Sequence, residues 1–133
     1  MKCTWCDTKY TWDWENYDFQ KEVNEMTIDE IKGAILDLEI NHLVITGGEP
    51  LLKGFQPAIW DLMTSPNLKT KFITFETNGT QELSQDLSVY LQQWKINREK
   101  NALTFSVSPK LSISGEKWDD AICPSIIRQY ESI

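Results

Sequence analysis

The chain has 133 residues, of which 41% are hydrophobic and 25% charged, enough apolar content for a single packed domain. Its 13 basic and 20 acidic residues leave a net charge of −7, which argues against general nucleic-acid binding, since phosphate binding needs a basic face. No apolar run approaches the roughly 20 residues of a membrane span, and the opening Met1-Lys2-Cys3-Thr4 begins no apolar signal segment. These features predict a cytoplasmic, soluble domain with no nucleic-acid or membrane partner. The three cysteines are an odd number, which disfavours a closed disulfide framework.

Two of those cysteines open the chain in Cys3-Thr4-Trp5-Cys6-Asp7-Thr8. A Cys-x-x-Cys pair serves a metal, a cluster or a redox dithiol. Closed structural zinc normally takes four ligands, and only Cys123 and His42 remain to complete a set. A thioredoxin-like dithiol should follow a strand and open a helix, whereas an aromatic, irregular stretch follows here. An iron–sulfur cluster suits soft thiolates, but two are too few for a four-thiolate cluster. Asp7 reads as a local turn residue. Trp12 and Trp14 either shield this segment or pack a small local core. Cys123 reads as a small core residue.

Residues 13–39 hold nine acids and two bases, Lys21 and Lys32, so the whole net charge is local. This is a solvated face or a docking surface for a basic partner. Thr27-Ile28-Asp29-Glu30 forms a capping box, and Ile28, Ile31, Ile35 and Leu38 then make an apolar stripe at helical spacing. Further helices are predicted over residues 56–63, ending before Pro66, over 82–94, and over 124–131 with Pro124 in the first turn. Trp60 and Trp94 fall on apolar helix faces and are expected in the core.

Three short runs alternate with these helices: HLVIT (42–46), KFITFE (71–76) and LTFSV (103–107). They start about 30 residues apart, the size of a strand–helix unit. Being apolar on both parities, they predict parallel strands buried on both faces. The fold class is therefore α/β with right-handed crossovers, as a partial or full barrel or an open sheet.

Ligands in such folds bind at the carboxyl ends of the strands. The segments there are Gly47-Gly48-Glu49-Pro50, Glu76-Thr77-Asn78-Gly79-Thr80 and Ser108-Pro109-Lys110. Two glycines admit close backbone approach, Glu49 suits a cationic amine, and Thr77, Asn78, Ser106 and Ser108 suit a polar small molecule. Taken singly, each segment also fits a turn with capping residues.

The Cys-x-x-Cys with Trp5 before its second cysteine, followed by a strand ending in Gly-Gly-Glu-Pro, resembles a radical S-adenosylmethionine enzyme. CTWCDTKYTWDW (3–14), VITGGEPLL (44–52), ETNGT (76–80) and SVSPKLS (106–112) resemble the 7-carboxy-7-deazaguanine synthase family of queuosine and 7-deazapurine biosynthesis. The resemblance spans most of the chain. It implies a partial (β/α) TIM-like barrel of the radical SAM type over residues 1–133. Cys3 and Cys6 would ligate a [4Fe–4S] cluster, Trp5 would lie beside it, and Glu49 with the Gly47-Gly48 backbone would hold the methionyl amine of S-adenosylmethionine. Thr77, Asn78, Ser106, Ser108 and Lys110 would line the cofactor or substrate, and Thr8 would help bind Mg²⁺. The implied reaction is radical ring contraction of 6-carboxy-5,6,7,8-tetrahydropterin to 7-carboxy-7-deazaguanine with loss of ammonia. A flavodoxin- or ferredoxin-type donor, and a homodimer for the complete enzyme, belong to the same implication.

The family's first cluster cysteine would lie four residues before Cys3, ahead of Met1, and its first strand is missing as well. On this reading the chain is truncated at both ends and inactive by itself. Two alternatives are a noncatalytic, cluster-less binding remnant and another small radical SAM enzyme such as an activase.

Overall fold

The computed structural model describes residues 6–96, 98–99 and 102–133. A short helix α1 (Phe19–Glu22) and the longer α2 (Ile28–Asp37) precede β1 (His42–Ile45), α3 (Gln56–Met63), β2 (Phe72–Thr77), α4 (Gln85–Ile96), β3 (Leu103–Val107), α5 (Trp118–Ala121) and α6 (Pro124–Glu131). The strands form a parallel sheet in the order β1-β2-β3. The α/β alternation is as expected, and the described strands form one sheet. No described helix is long and apolar enough to cross a membrane.

The sheet departs from the expectation of strands buried on both faces. Ile73, Phe75 and Thr77 alternate with less buried neighbours, and in register Leu43 and Ile45 flank them on one side, Leu103, Phe105 and Val107 on the other. This face meets the helices, in a core with Leu51, Ile59, Met63, Leu83, Leu87, Leu91, Trp94 and Tyr130. On the opposite face Val44, Thr74 and Thr104 form one row, with Glu76 and Ser106 in the next. Apart from Phe72, that parity carries polar or small side chains, and Val44 is 46% exposed. The period of two, hidden in the sequence by Val44 and Phe72, is the pattern of a one-faced sheet.

The capping box of α2 is present, with the Thr27 amide donating to Glu30 Oε2 at 2.7 Å and the Glu30 amide donating to Thr27 Oγ1 at 3.3 Å. Its apolar stripe is only partly used: Ile28, Ile31 and Ile35 are half-buried, and Leu38 is 68% exposed. Lys32 ties α2 to α3 through Asp61 at 2.9 Å. Helices α3 and α6 match their expected bounds. Helix α4 starts three residues later than the pattern suggests, because side chains take the backbone groups of residues 82–84. Gln56 Oε1 accepts from the Ser84 amide, and Gln129 bonds both the amide and the carbonyl of Leu83. Trp94 is buried as expected, whereas Trp60 is 43% exposed and tilts against Tyr90.

Aromatic stacking carries the core from sheet to helix. Phe75 stacks on Phe105 at 5.4 Å, and Phe105 on Tyr130 at 4.6 Å. Phe75→Ala should therefore cost about 3–5 kcal/mol. Thr104→Val, on the open face, should stay within about 0.5 kcal/mol of the parent. Urea denaturation of both variants checks the assignment of faces, which similar costs would refute.

Candidate functional site

The loops following β1 and β2 meet at one carboxylate. Glu49 is 8% exposed. Its Oε1 accepts from the Leu51 amide at 3.1 Å and the Thr77 hydroxyl at 2.7 Å, and its Oε2 accepts from the Asn78 amide at 2.8 Å. A carboxylate offers about four acceptor sites, so these three bonds leave one on Oε2. Among the described residues no salt bridge includes Glu49. A buried carboxylate held by neutral donors alone is suited to a cationic ligand. Beside it the Gly47 backbone has φ +143°, and a Cβ at Gly47 or Gly48 would meet nothing within 4 Å. Charge and open backbone together fit a cationic amine.

Thr77 and Asn78, expected to face the ligand, have internal roles here. Besides its bond to Glu49, Thr77 Oγ1 accepts from the Gly79 amide at 3.1 Å, and the Thr77 carbonyl accepts from the Ser108 amide at 2.8 Å. Asn78 Oδ1 accepts from the amide and hydroxyl of Thr80 at 2.9 and 2.6 Å, an Asx-type turn. Gly79 completes the turn with φ +80°; a Cβ there would lie 2.6 Å from Val107 Cγ1. Ser106 and Ser108 are exposed near the end of β3, and Lys110 is partly buried beyond them.

Three contributors have weak sequence signals. Glu76 is exposed on the open sheet face, where the Thr46 hydroxyl donates to its Oε2 at 3.2 Å. Gln56, 3% exposed, joins both loops: its Nε2 donates to the carbonyls of Leu51 and Glu82, each at 2.8 Å. Tyr130, from the last helix, donates to the Gln81 carbonyl. The alternating parity of β2 is the one signal that separates Glu76 from Thr77. The reach of Gln56 and Tyr130 across 26 and 49 residues leaves no local pattern.

Cys3 and Trp5 lie outside the described residues. Cys6 is partly exposed, with its sulfur 3.3 Å from Thr8 Oγ1. The hydrogen bond with the Thr8 hydroxyl is the largest influence lowering its thiol pKa, and it favours the thiolate that a soft metal takes. Among the described residues no three His, Cys, Asp or Glu side chains converge as a metal site. These residues thus fit one thiolate ligand of a cluster and do not define a complete set. Thr8 is exposed, with its hydroxyl engaged by Cys6. Cys123, half-buried rather than in the core, precedes α6, 3.9 Å from the Asp120 carbonyl oxygen. A cavity of about 720 Å³, lined by Lys53, Gln56, Trp60, Glu82 and Asp86 among others, lies apart from Glu49.

Burial pushes the Tyr130 hydroxyl up to about 12; the Thr77 hydrogen bond opposes the shift and the Glu49 charge reinforces it. The folded state thus retains this proton where the unfolded chain, titrating near 10, loses it. The resulting stabilisation is complete below about pH 10 and is lost as pH rises towards 12. Denaturation midpoints across that window should fall in the parent and fall less in Tyr130→Phe. Separately, Glu49→Gln turns an amide NH₂ towards existing donors and should cost about 1–3 kcal/mol. A thermal melt within a few tenths of a degree of the parent would contradict that network.

Comparison with known proteins gives a consistent family. The model of the radical SAM superfamily matches residues 1–92. The chain is 33% identical over 125 residues to a 7-carboxy-7-deazaguanine synthase of Pyrobaculum aerophilum, covering 88% of this chain and 45% of that protein. It is 32% identical over 81 residues to the Bacillus subtilis enzyme of that name, covering 59% and 31%. A third, from Buchnera aphidicola, is 32% identical over 114 residues, covering 74% and 50%. The chain thus spans half or less of the length of these relatives. No solved structure gives a significant match. With the Gly-Gly-Glu loop ending its first strand and its matched residues covering more than half of its length, the chain belongs to the radical SAM superfamily.

Proposed function

We propose that the chain serves a radical S-adenosylmethionine lyase that converts 6-carboxy-5,6,7,8-tetrahydropterin to 7-carboxy-7-deazaguanine with release of ammonia. The observation that carries this reading is the Glu49 carboxylate, buried at the strand ends and, among the described residues, bonded by neutral donors that leave an acceptor site on Oε2. The names of the similar proteins support the choice of product.

Superfamily membership implies a [4Fe–4S] cluster and S-adenosylmethionine, which together supply one-electron chemistry for hydrogen abstraction from an unactivated carbon. The chain's own residues bind and orient. Glu49 Oε2 accepts the methionyl ammonium, and the Gly47-Gly48 backbone allows close approach. Thr77 and Asn78 keep the carboxylate in place through the hydroxyl and amide that donate to it. Ser106, Ser108 and Lys110 offer polar contacts beyond β3, and Glu76 does so from the open face. Cys6 supplies a thiolate, alongside Cys3. Thr8 offers a hard oxygen to Mg²⁺ near the substrate carboxylate. A flavodoxin- or ferredoxin-type reductant, a homodimeric assembly and a cytoplasmic setting complete the proposal.

Anaerobic iron–sulfur reconstitution of the chain, extended upstream by a segment that carries the third cluster cysteine, tests it. The expected result is iron uptake, dithionite-dependent cleavage of S-adenosylmethionine, and 7-carboxy-7-deazaguanine formed from the pterin. Glu49→Gln should weaken S-adenosylmethionine binding about ten-fold or more, as loss of a charge-assisted bond does. Cleavage without the deazaguanine product would remove the substrate assignment. Unchanged cofactor affinity in the Glu49 variant would remove its assigned role.

A further inference from the structure

We propose that Tyr130 is a positioning residue for the Glu49 site: from α6, its hydroxyl fixes the segment after β2 that presents Thr77 and Asn78 to the carboxylate. Helix α6 meets this segment at alternate residues. Ile127 stands against Gly79, where its Cδ1 would be 3.0 Å from an added Cβ. The Tyr130 hydroxyl donates to the carbonyl of Gln81. Gln129 closes the series at Leu83, accepting from its amide at 2.9 Å and donating to its carbonyl at 3.1 Å.

Of these three contacts, that of Tyr130 is also coupled to the site. The Thr77 side chain and the Glu49 charge both act on its hydroxyl, in opposite directions. The Tyr130 residue is 4% exposed, and its ring is held by stacking on Phe105 at 4.6 Å. The ring therefore cannot move without disturbing the core, and the hydroxyl is delivered at a fixed point. Thr77 is linked to Glu49 at 2.7 Å, so a shift of residues 77–81 moves donors on both carboxylate oxygens.

Tyr130→Phe removes the hydroxyl while keeping the stacked ring. The Asn78 amide, bonded to Glu49 Oε2, reports the site without any ligand. The Ile73 amide, bonded to the Ala102 carbonyl at 2.7 Å, reports the sheet. Hydrogen exchange should accelerate about ten-fold at Asn78 relative to Ile73 in Tyr130→Phe, the scale of one lost hydrogen bond. Ile59→Val, a core variant on α3 that removes no hydrogen bond, should change the ratio little. The effect on cofactor binding rests on the function proposed above: calorimetry of the reconstituted chain with S-adenosylmethionine should show affinity five- to ten-fold lower in Tyr130→Phe, by the same principle.

An Asn78-to-Ile73 ratio that moves no further in Tyr130→Phe than in Ile59→Val overturns the proposal, even if the parent binds S-adenosylmethionine. A ratio that rises as expected upholds the positioning role, even if neither protein binds the cofactor; in that case it is the cofactor reading that fails.

Discussion

The placement of one buried charge organises the rest of the site. A carboxylate removed from water costs several kcal/mol unless donors replace its hydration. For Glu49 those donors come from both sides of a strand boundary: Leu51 from its own loop, and Thr77 and Asn78 from the end of β2. The two loops are thereby locked together by the need to satisfy a charge. Gln56 repeats the arrangement one layer out, bonding the carbonyls of Leu51 and Glu82 and the amide of Ser84. A buried polar network of this kind is rigid because leaving any member unpaired is costly.

The sheet divides labour by parity. Side chains directed to the helices are apolar until Thr77, whose parity carries it into the core layer beneath Glu49. Glu76, one residue earlier, is directed to the opposite face, beside Thr46 and in register with Ser106. Two adjacent polar residues of one motif thus serve different surfaces. Thr77 braces a neighbouring carboxylate from within, while Glu76 presents a charge to the open side. A one-residue slip in β2 would exchange them and expose Ile73 and Phe75 together.

Much of this is legible in the sequence where the signal is local. The capping box at Thr27, the bounds of α3 and α6, and the three strands follow from short-range patterns. So does the clustering of polar residues after the strands. What the sequence conceals is long-range. Trp60 lies on a helix face periodic enough to predict burial, yet nothing in the described structure covers it fully. The first turn expected of α4 is absent because Gln56 and Gln129 compete for its backbone, and neither competitor is visible within a local window. Thr77 and Asn78 are recognisable as site residues, but only the fold shows that they act on Glu49. The composition of the strands suggested burial on both faces because Val44 and Phe72 mask the alternation.

Between Cys6 and Ile40 no residue is fully buried, whereas every layer from Glu49 onward contributes to the core. Opening of this first section therefore forfeits little apolar contact and is separable in free energy from unfolding of the sheet. In the cluster role proposed above, Cys6 could be brought to a metal without breaking the packing that holds Glu49. The corollary is thermodynamic: ordering of that section would then draw on ligation itself, so that metal affinity and local folding would form a single linked equilibrium. Bracing of Cys6 by Thr8, at 3.3 Å, would lower the entropy still to be lost on such ligation.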